Sequence, residues 1–379
     1  MHVRTLTGMR IVFLVNRDRF FHSHFMERAA SARDEGHEVF VLAADTGSGK
    51  AIEAAGLRFF PVNMTRHGVS LFHLGAEVRE LLALYRKIEP DIVHHFGLRP
   101  IVVGTLAARI NGSRRIINAP VGMGFAFASS NWKARLVRFP LLALLKVALN
   151  PPGSRVVFEN AEDRSEMMRL GAVRSEDAVV IRGAGVDVHR FLPTTEPEGR
   201  PMVLFAARLI WEKGVGVFVD AARQVRAKGV EARFVVVGEI DRSSSTAVPE
   251  EQMNDWVSEG VVEWWGYRDD MPHVLALCTI FCLPTWYREG MPKVILEAMA
   301  CGRAVITTDT VGCREAVQHG VSGLLVPPKD AAALADAIVA LLRDETLRHC
   351  LAENGRRRAV EDFSSEKVIR ETLALYRSV

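Results

Sequence analysis

Two carboxylates with seven residues between them, Glu289 and Glu297, stand in the stretch Glu289-Gly290-Met291-Pro292-Lys293-Val294-Ile295-Leu296-Glu297-Ala298-Met299-Ala300-Cys301-Gly302. Gly290 lets backbone come close to a ligand. Pro292, with its fixed φ, suits the first position of a helix, and Gly302 suits the position just past its end. Glu289 then falls on the loop before that helix, and Glu297 roughly a turn and a half inside it. Between them the helix N-terminus offers unpaired N–H groups, which attract anions. Glu297 also interrupts an apolar run, where a carboxylate is costly unless something donates hydrogen bonds to it. Two carboxylates around an anion site fit a ligand with hydroxyls on either side of a phosphate, as in a nucleotide sugar. Alone, the pair would equally fit the acid and base of glycoside hydrolysis.

A second group separates these readings. Arg208-Leu209-Ile210-Trp211-Glu212-Lys213-Gly214 follows an apolar run that reads as a strand. Arg208 offers a planar fork for phosphate and Lys213 a mobile point charge, so together they could hold a diphosphate. With that clamp present, the carboxylates are better explained as acceptors for hydroxyls.

The elements that carry these residues alternate. Arg10–Asn16, Val39–Ala43, Phe59–Val62, Ile92–His95, Arg115–Asn118 and Val156–Phe158 read as strands, with helices near Ser23–Glu35, Leu71–Ile88 and Ile101–Ile110. Residues 183–201 are rich in Gly, Pro, Thr and Glu without an apolar period and read as a linker. Strands resume at Met202–Ala207, Arg233–Val237, Val262–Trp265, Ile280–Leu283, Ala304–Thr307 and Gly323–Val326. Such alternation predicts parallel sheets covered by helices. The expected fold is α/β, with two doubly wound Rossmann-like domains and a cleft between them: residues 1–182, then the linker, then 202–364. Ligands in such domains bind at the carboxyl ends of the strands.

The chain has 379 residues, 49% apolar and 25% charged, the profile of a globular protein. A net charge of +3 is too small to suggest nucleic acid as a partner. Five cysteines without a CxxC spacing point to free thiols in a reducing compartment. No signal-peptide core or membrane-length apolar run is present, so a cytoplasmic location is expected. The run Thr46–Lys50 is P-loop-like, but Ala44 and Ala51 replace the first glycine and the Ser/Thr.

The second half resembles the nucleotide-sugar domain of GT-B glycosyltransferases of the large retaining family numbered 4. The resemblance rests on Ala207-Arg208-Leu209 with Lys213-Gly214, Val237-Gly238, Gly266-Tyr267-Arg268, Pro284-Thr285, Glu289 through Gly302, and Gly312-Cys313-Arg314-Glu315. The first half resembles a subgroup acting on polyprenyl-diphosphate-linked sugars, through His95–Pro100, Gly122-Met123-Gly124-Phe125 and Arg182–Asp187. The resemblance implies a UDP-sugar donor, an N-acetylhexosamine or related hexose, a lipid-linked or other glycan acceptor, and retention at the anomeric carbon. It implies that Arg208 and Lys213 bind the diphosphate and stabilise it as it departs. Glu289 would then take the sugar hydroxyls and Glu297 the ribose, with Gly290, Met291, Pro292 and Lys293 against the sugar and β-phosphate. Gly238 and Tyr267 fall on the donor side, Tyr267 near the base. It also implies that the C-terminal helix, residues 365–379, packs back on the first domain.

Many members carry a histidine after the strand that corresponds to Arg115–Asn118; here the loop is Ala119-Pro120-Val121-Gly122-Met123-Gly124. The acceptor-side candidates are therefore His24, His95 (outermost of the His94–His95 pair), Arg99, Gly122 and Gly124. No Asp-x-Asp is present, so neither metal nor cofactor is expected. Trp132 to Lys146 mixes bases with an apolar face and fits either a helix on the first sheet or an anionic membrane surface. Two alternatives share the fold: a sugar-nucleotide epimerase and a non-catalytic sugar-nucleotide-binding protein.

Overall fold

The computed structural model describes residues 8–64, 71–121 and 142–379. The chain divides into two units, Met1–Ala184 with Ser365–Val379, and Gly185–Ser364. The first holds β1 (Arg10–Arg17), β2 (Glu38–Ala44), β3 (Arg58–Pro61), β4 (Ile92–Phe96), β5 (Arg115–Ala119), β6 (Arg155–Phe158) and β7 (Ala178–Val180). All pairings are parallel, in the order β3-β2-β1-β4-β5-β6-β7. The second holds β8 (Met202–Ala206), β9 (Arg233–Val237), β10 (Glu263–Trp264), β11 (Ile280–Leu283), β12 (Ala304–Thr308) and β13 (Leu324–Val326). Its order is β10-β9-β8-β11-β12-β13, again parallel. In each sheet the strand order reverses once, between β1 and β4 and between β8 and β11. Chains leaving two such neighbouring strands diverge to opposite faces and leave a crevice at their carboxyl ends.

Strands covered on both faces must be apolar throughout, and Ile11 to Val15 of β1 are fully buried. The same burial corrects the placing of His95 at the outer edge of a cleft. His94 and His95 point to opposite faces of β4, yet both are completely buried, because both faces carry helices. His94 Nδ1 pairs with the Tyr376 hydroxyl at 2.8 Å, and His95 Nδ1 with Asn118 Oδ1 at 2.9 Å, while Nε2 meets the Tyr85 hydroxyl at 3.1 Å. His95 is thus a core residue with satisfied hydrogen bonds. Arg99 is likewise not open to a ligand phosphate: it grips buried Glu77 through two nitrogens, at 3.0 and 2.7 Å.

Burial pushes the His94 imidazole well below the ordinary histidine value and the His95 imidazole down to about 4. The unfolded chain therefore binds protons that the folded chain refuses. Stability from these rings is complete above about pH 6.5 and is lost as pH falls towards about 4, at up to about 1.4 kcal/mol per pH unit for each ring. Hydrogen exchange at β4 and β5 amides should give a lower opening free energy at pH 5 than at pH 7. Equal opening free energies would contradict this.

The region expected to be one helix from Ser23 to Glu35 is two, Asp18–His24 and Met26–Asp34. Phe25, at φ −128° and ψ −3°, breaks it by turning its ring onto Phe96, with centroids 4.0 Å apart. Buried Asp18 explains the P-loop-like run: it accepts hydrogen bonds from the Thr46 and Ser48 amides and the Thr46 hydroxyl, holding that turn in place.

The expected linker over 183–201 also needs correction. Val186, Val188 and Phe191 are buried in the second unit's core, and the Val186 amide bonds the Phe363 carbonyl at 2.9 Å. Arg356 fastens the segment further through the Val188 and Phe191 carbonyls. Three apolar residues among many turn formers are too few to register as a period, but enough to anchor the strap. The last helix, Ser365–Ser378, belongs to the first unit and packs on Met26–Asp34.

Candidate functional site

Two loops leave the reversal point of the second sheet. Arg208 to Lys213 follows β8, and 284–292 follows β11. Gly214 joins them: at φ +87° it opens the helix Val215–Ala227, and a Cβ there would sit 2.0 Å from the Pro284 carbonyl oxygen. Glu212 ties the loops again, its carbonyl accepting from the Thr285 hydroxyl at 3.0 Å and from the Trp286 amide at 2.9 Å. Gly312 backs the far side, since a Cβ there would lie 2.6 Å from the Glu289 and Gly290 carbonyl oxygens.

This bracing brings Lys213 Nζ within 2.5 Å of Glu289 Oε2. Only 12% of the lysine side chain and 15% of the glutamate side chain are exposed. The other glutamate oxygen, Oε1, is buried without a hydrogen-bond partner among the described residues. A buried acceptor left unmatched costs roughly 1–3 kcal/mol, so the geometry favours a ligand that donates to Oε1.

Arg208 lies on the same loop, half exposed, and pairs with Asp241 at 2.6 Å. An exposed pair of this kind is worth little and releases the guanidinium readily to a stronger anion. Glu297 is half-buried on the helix Lys293–Ala300, whose Ile295, Leu296, Ala298 and Met299 are buried. Pro292 is the residue that caps this helix, not its first turn, at φ −69° and ψ 107°. The correction follows from its extended ψ, which delays the helix by one residue. Met291 is buried, while Gly290 and Lys293 are half-buried. Gly302 ends the helix at φ +68°.

Gly238 follows β9 at φ +143°, where a Cβ would stand 1.9 Å from the Ala207 carbonyl oxygen. Its amide bonds the Gly266 carbonyl at 2.8 Å, and its own carbonyl accepts from the Trp264 indole at 2.9 Å. Tyr267, next in the chain after Gly266, is 59% exposed. Gly238→Ala should destabilise the second unit by about 3 kcal/mol, from overpacking against fixed backbone and a disfavoured φ. A urea midpoint equal to that of the unsubstituted chain would refute this.

Sequence reasoning did not single out Asp241, the Glu212 carbonyl or the role of Gly312. Asp241 lies more than thirty residues after Arg208, a pairing that only the fold reveals. On the first unit, His24 lies half-buried at the end of Asp18–His24, its ring 4.4 Å from that of Phe20 and its Nδ1 2.6 Å from the Ser23 hydroxyl. Gly122 and Gly124 lie outside the described residues. A hollow of about 830 Å³ lies beside β13, lined by Asp309, Arg314 and Pro327. It holds neither Lys213 nor Glu289, so the candidate site is assigned on chemistry and not on size.

Two family models match the chain. One, described as "Glycosyl transferase 4-like", covers residues 10–159, and another, "Glycosyl transferases group 1", covers residues 200–344. The chain is a glycosyltransferase. Among its relatives is the N,N'-diacetylbacillosaminyl-diphospho-undecaprenol alpha-1,3-N-acetylgalactosaminyltransferase of Campylobacter jejuni. That enzyme is 29% identical, over 97% of this glycosyltransferase and 98% of its own length. The UDP-Gal:alpha-D-GlcNAc-diphosphoundecaprenol alpha-1,3-galactosyltransferase of Escherichia coli is 24% identical over 79% of each chain. The structure of HepE from Anabaena, solved with UDP and glucose, superposes with a TM-score of 0.80 at 21% identity, covering 98% of this chain and 100% of that one. Sucrose-phosphate synthase from Thermosynechococcus elongatus gives 0.79 at 20%, covering 98% of each. The fold of the glycosyltransferase is therefore GT-B, built from two Rossmann-like domains.

Proposed function

We propose that this glycosyltransferase moves a hexose or N-acetylhexosamine from a UDP-sugar, with retention at the anomeric carbon, to a sugar carried on a polyprenyl diphosphate. The observation that carries the reading is the Lys213–Glu289 pair at the reversal point of the second sheet, with one buried carboxylate oxygen unmatched. The ammonium meets the donor diphosphate and carries its charge as it leaves; Arg208 adds a second cation from the same loop. Glu289 turns to the sugar hydroxyls, which donate to both its oxygens. Glu297 serves the ribose and Tyr267 borders the base. Two cations of the chain itself stand where a bound metal would otherwise neutralise the diphosphate, so transfer needs no added metal. The names of the Campylobacter and Escherichia relatives, both transferases to sugars on diphosphoundecaprenol, support the lipid-linked acceptor. On this reading the reaction belongs to glycan or polysaccharide synthesis and takes place at the inner face of a membrane.

A panel of nucleotide sugars offered with polyprenyl-diphosphate-linked acceptors, read by mass spectrometry, tests this. One donor should add a single sugar and release UDP. Isomerised donor without acceptor would mean an epimerase, and transfer only to soluble glycans would overturn the lipid-linked acceptor.

A further inference from the structure

Ten large apolar side chains are markedly exposed among the described residues. Six are scattered over the second unit. The other four, Leu106 at 50%, Ile110 at 54%, Leu144 at 45% and Val147 at 62%, all lie on two helices of the first unit, Leu98–Asn111 and 142–149. These helices are neighbours, for Ile101 of one is buried with Leu145, Ala148 and Leu149 of the other. Their exposed apolar residues therefore lie on adjacent helices of the same unit. On the first helix they extend a line begun by half-buried Leu98 and Val102, so that Leu98, Val102, Leu106 and Ile110 each lie four residues from the next. That spacing puts them on one face along about 18 Å of helix.

Charge is equally one-sided. Neither helix contains an aspartate or a glutamate, and each carries an exposed cation beside its apolar residues, Arg109 and Lys146. An apolar strip with basic flanks and no acid is disfavoured in water. It complements the boundary of a bilayer with anionic headgroups, where apolar side chains enter and cations stay among phosphates.

We propose that the outer faces of Leu98–Asn111 and 142–149 form the surface by which the enzyme docks on an anionic lipid bilayer. The proposal rests on the lipid-linked acceptor inferred above. The strip begins at Leu98, just after the end of β4, and so runs from the edge of the sheet where ligands of doubly wound domains bind. A bilayer along the strip holds its headgroup phosphates beside that edge, where a diphosphate-linked acceptor is presented without leaving the membrane.

Sedimentation of the full chain with phosphatidylcholine vesicles, with and without phosphatidylglycerol, tests the surface. The unsubstituted chain should sediment with the anionic vesicles and weakly with the neutral ones. Leu106→Glu with Ile110→Glu, and separately Val147→Glu, should weaken anionic-vesicle binding by about tenfold or more. Arg109→Glu with Lys146→Glu should remove most of the preference for anionic lipid. All these positions are exposed, and circular dichroism checks that each variant is folded. Transfer to a short-chain, water-soluble polyprenyl-diphosphate acceptor should be unchanged, while transfer to a long-chain acceptor in vesicles should fall with binding. Unaltered vesicle binding by the variants would overturn the surface even if lipid-linked transfer is intact. So would a dimer of the unsubstituted chain that these substitutions dissociate, since the strip would then be covered by a second copy. Failure of all lipid-linked acceptors, soluble ones included, would strike the proposed function and not the surface.

Discussion

Lys213→Ala should lower transfer, measured as kcat/KM, by about a hundred- to a thousandfold, the cost of removing one group that stabilises developing charge. It should also weaken UDP binding by about tenfold or more, since a charge-assisted hydrogen bond is worth about 1.5–3 kcal/mol. The substitution acts on the free enzyme too. Glu289 would keep its burial and lose the ammonium it pairs with, which costs a nearly buried carboxylate up to about 3 kcal/mol. The double variant Lys213→Ala with Glu289→Ala should therefore melt higher than Lys213→Ala alone while remaining inactive. Calorimetric titration with UDP separates the effects. Undiminished UDP affinity in a folded Lys213→Ala protein would remove the lysine from the diphosphate site.

Glu289→Gln should act in the opposite sense on UDP. The amide keeps the shape but not the charge, so it releases Lys213 from its internal partner. UDP, which lacks the donor sugar that Glu289 would hold, should bind as well as before or better. Transfer should nevertheless fall by about a hundredfold, because an amide presents one acceptor oxygen where the carboxylate offers two, and its NH₂ meets hydroxyls as a donor. The two substitutions thus separate departing phosphate from sugar recognition. Parallel losses of UDP affinity in both variants would show that the pair acts only as a structural strut.

The strand pattern and the neighbourhood of Glu289 were legible in the sequence because local signals carry them. Apolar runs mark buried parallel strands, and Pro292 and Gly302 bracket a helix to within one residue. The Arg208-to-Gly214 run sits directly after a strand, where a ligand loop belongs. What failed depended on contacts distant in sequence. The His94–His95 pair looked half exposed because alternation alone assigns one side chain to each face, and nothing local says that both faces are covered. Arg99 looked free because its partner Glu77 lies a helix away. The strap at Val186, Val188 and Phe191 was hidden by the turn formers around it. The orphaned oxygen of Glu289 had no sequence signal, since it is defined by what fails to reach it.

The hydrogen bond between His94 and Tyr376 spans 282 residues and joins parts of a single unit. During synthesis, the half made first is consequently the half finished last. The second unit is continuous from Gly185 to Ser364 and holds its own core, so its last residue is made before the helix that completes the first unit. The first unit must wait, with Phe13 and its neighbours lacking the Tyr376 ring that closes over them. Domains usually complete in the order of translation; here the order is inverted. Loss of the helix after Ser364 alone would leave the second unit whole and the first open to proteases.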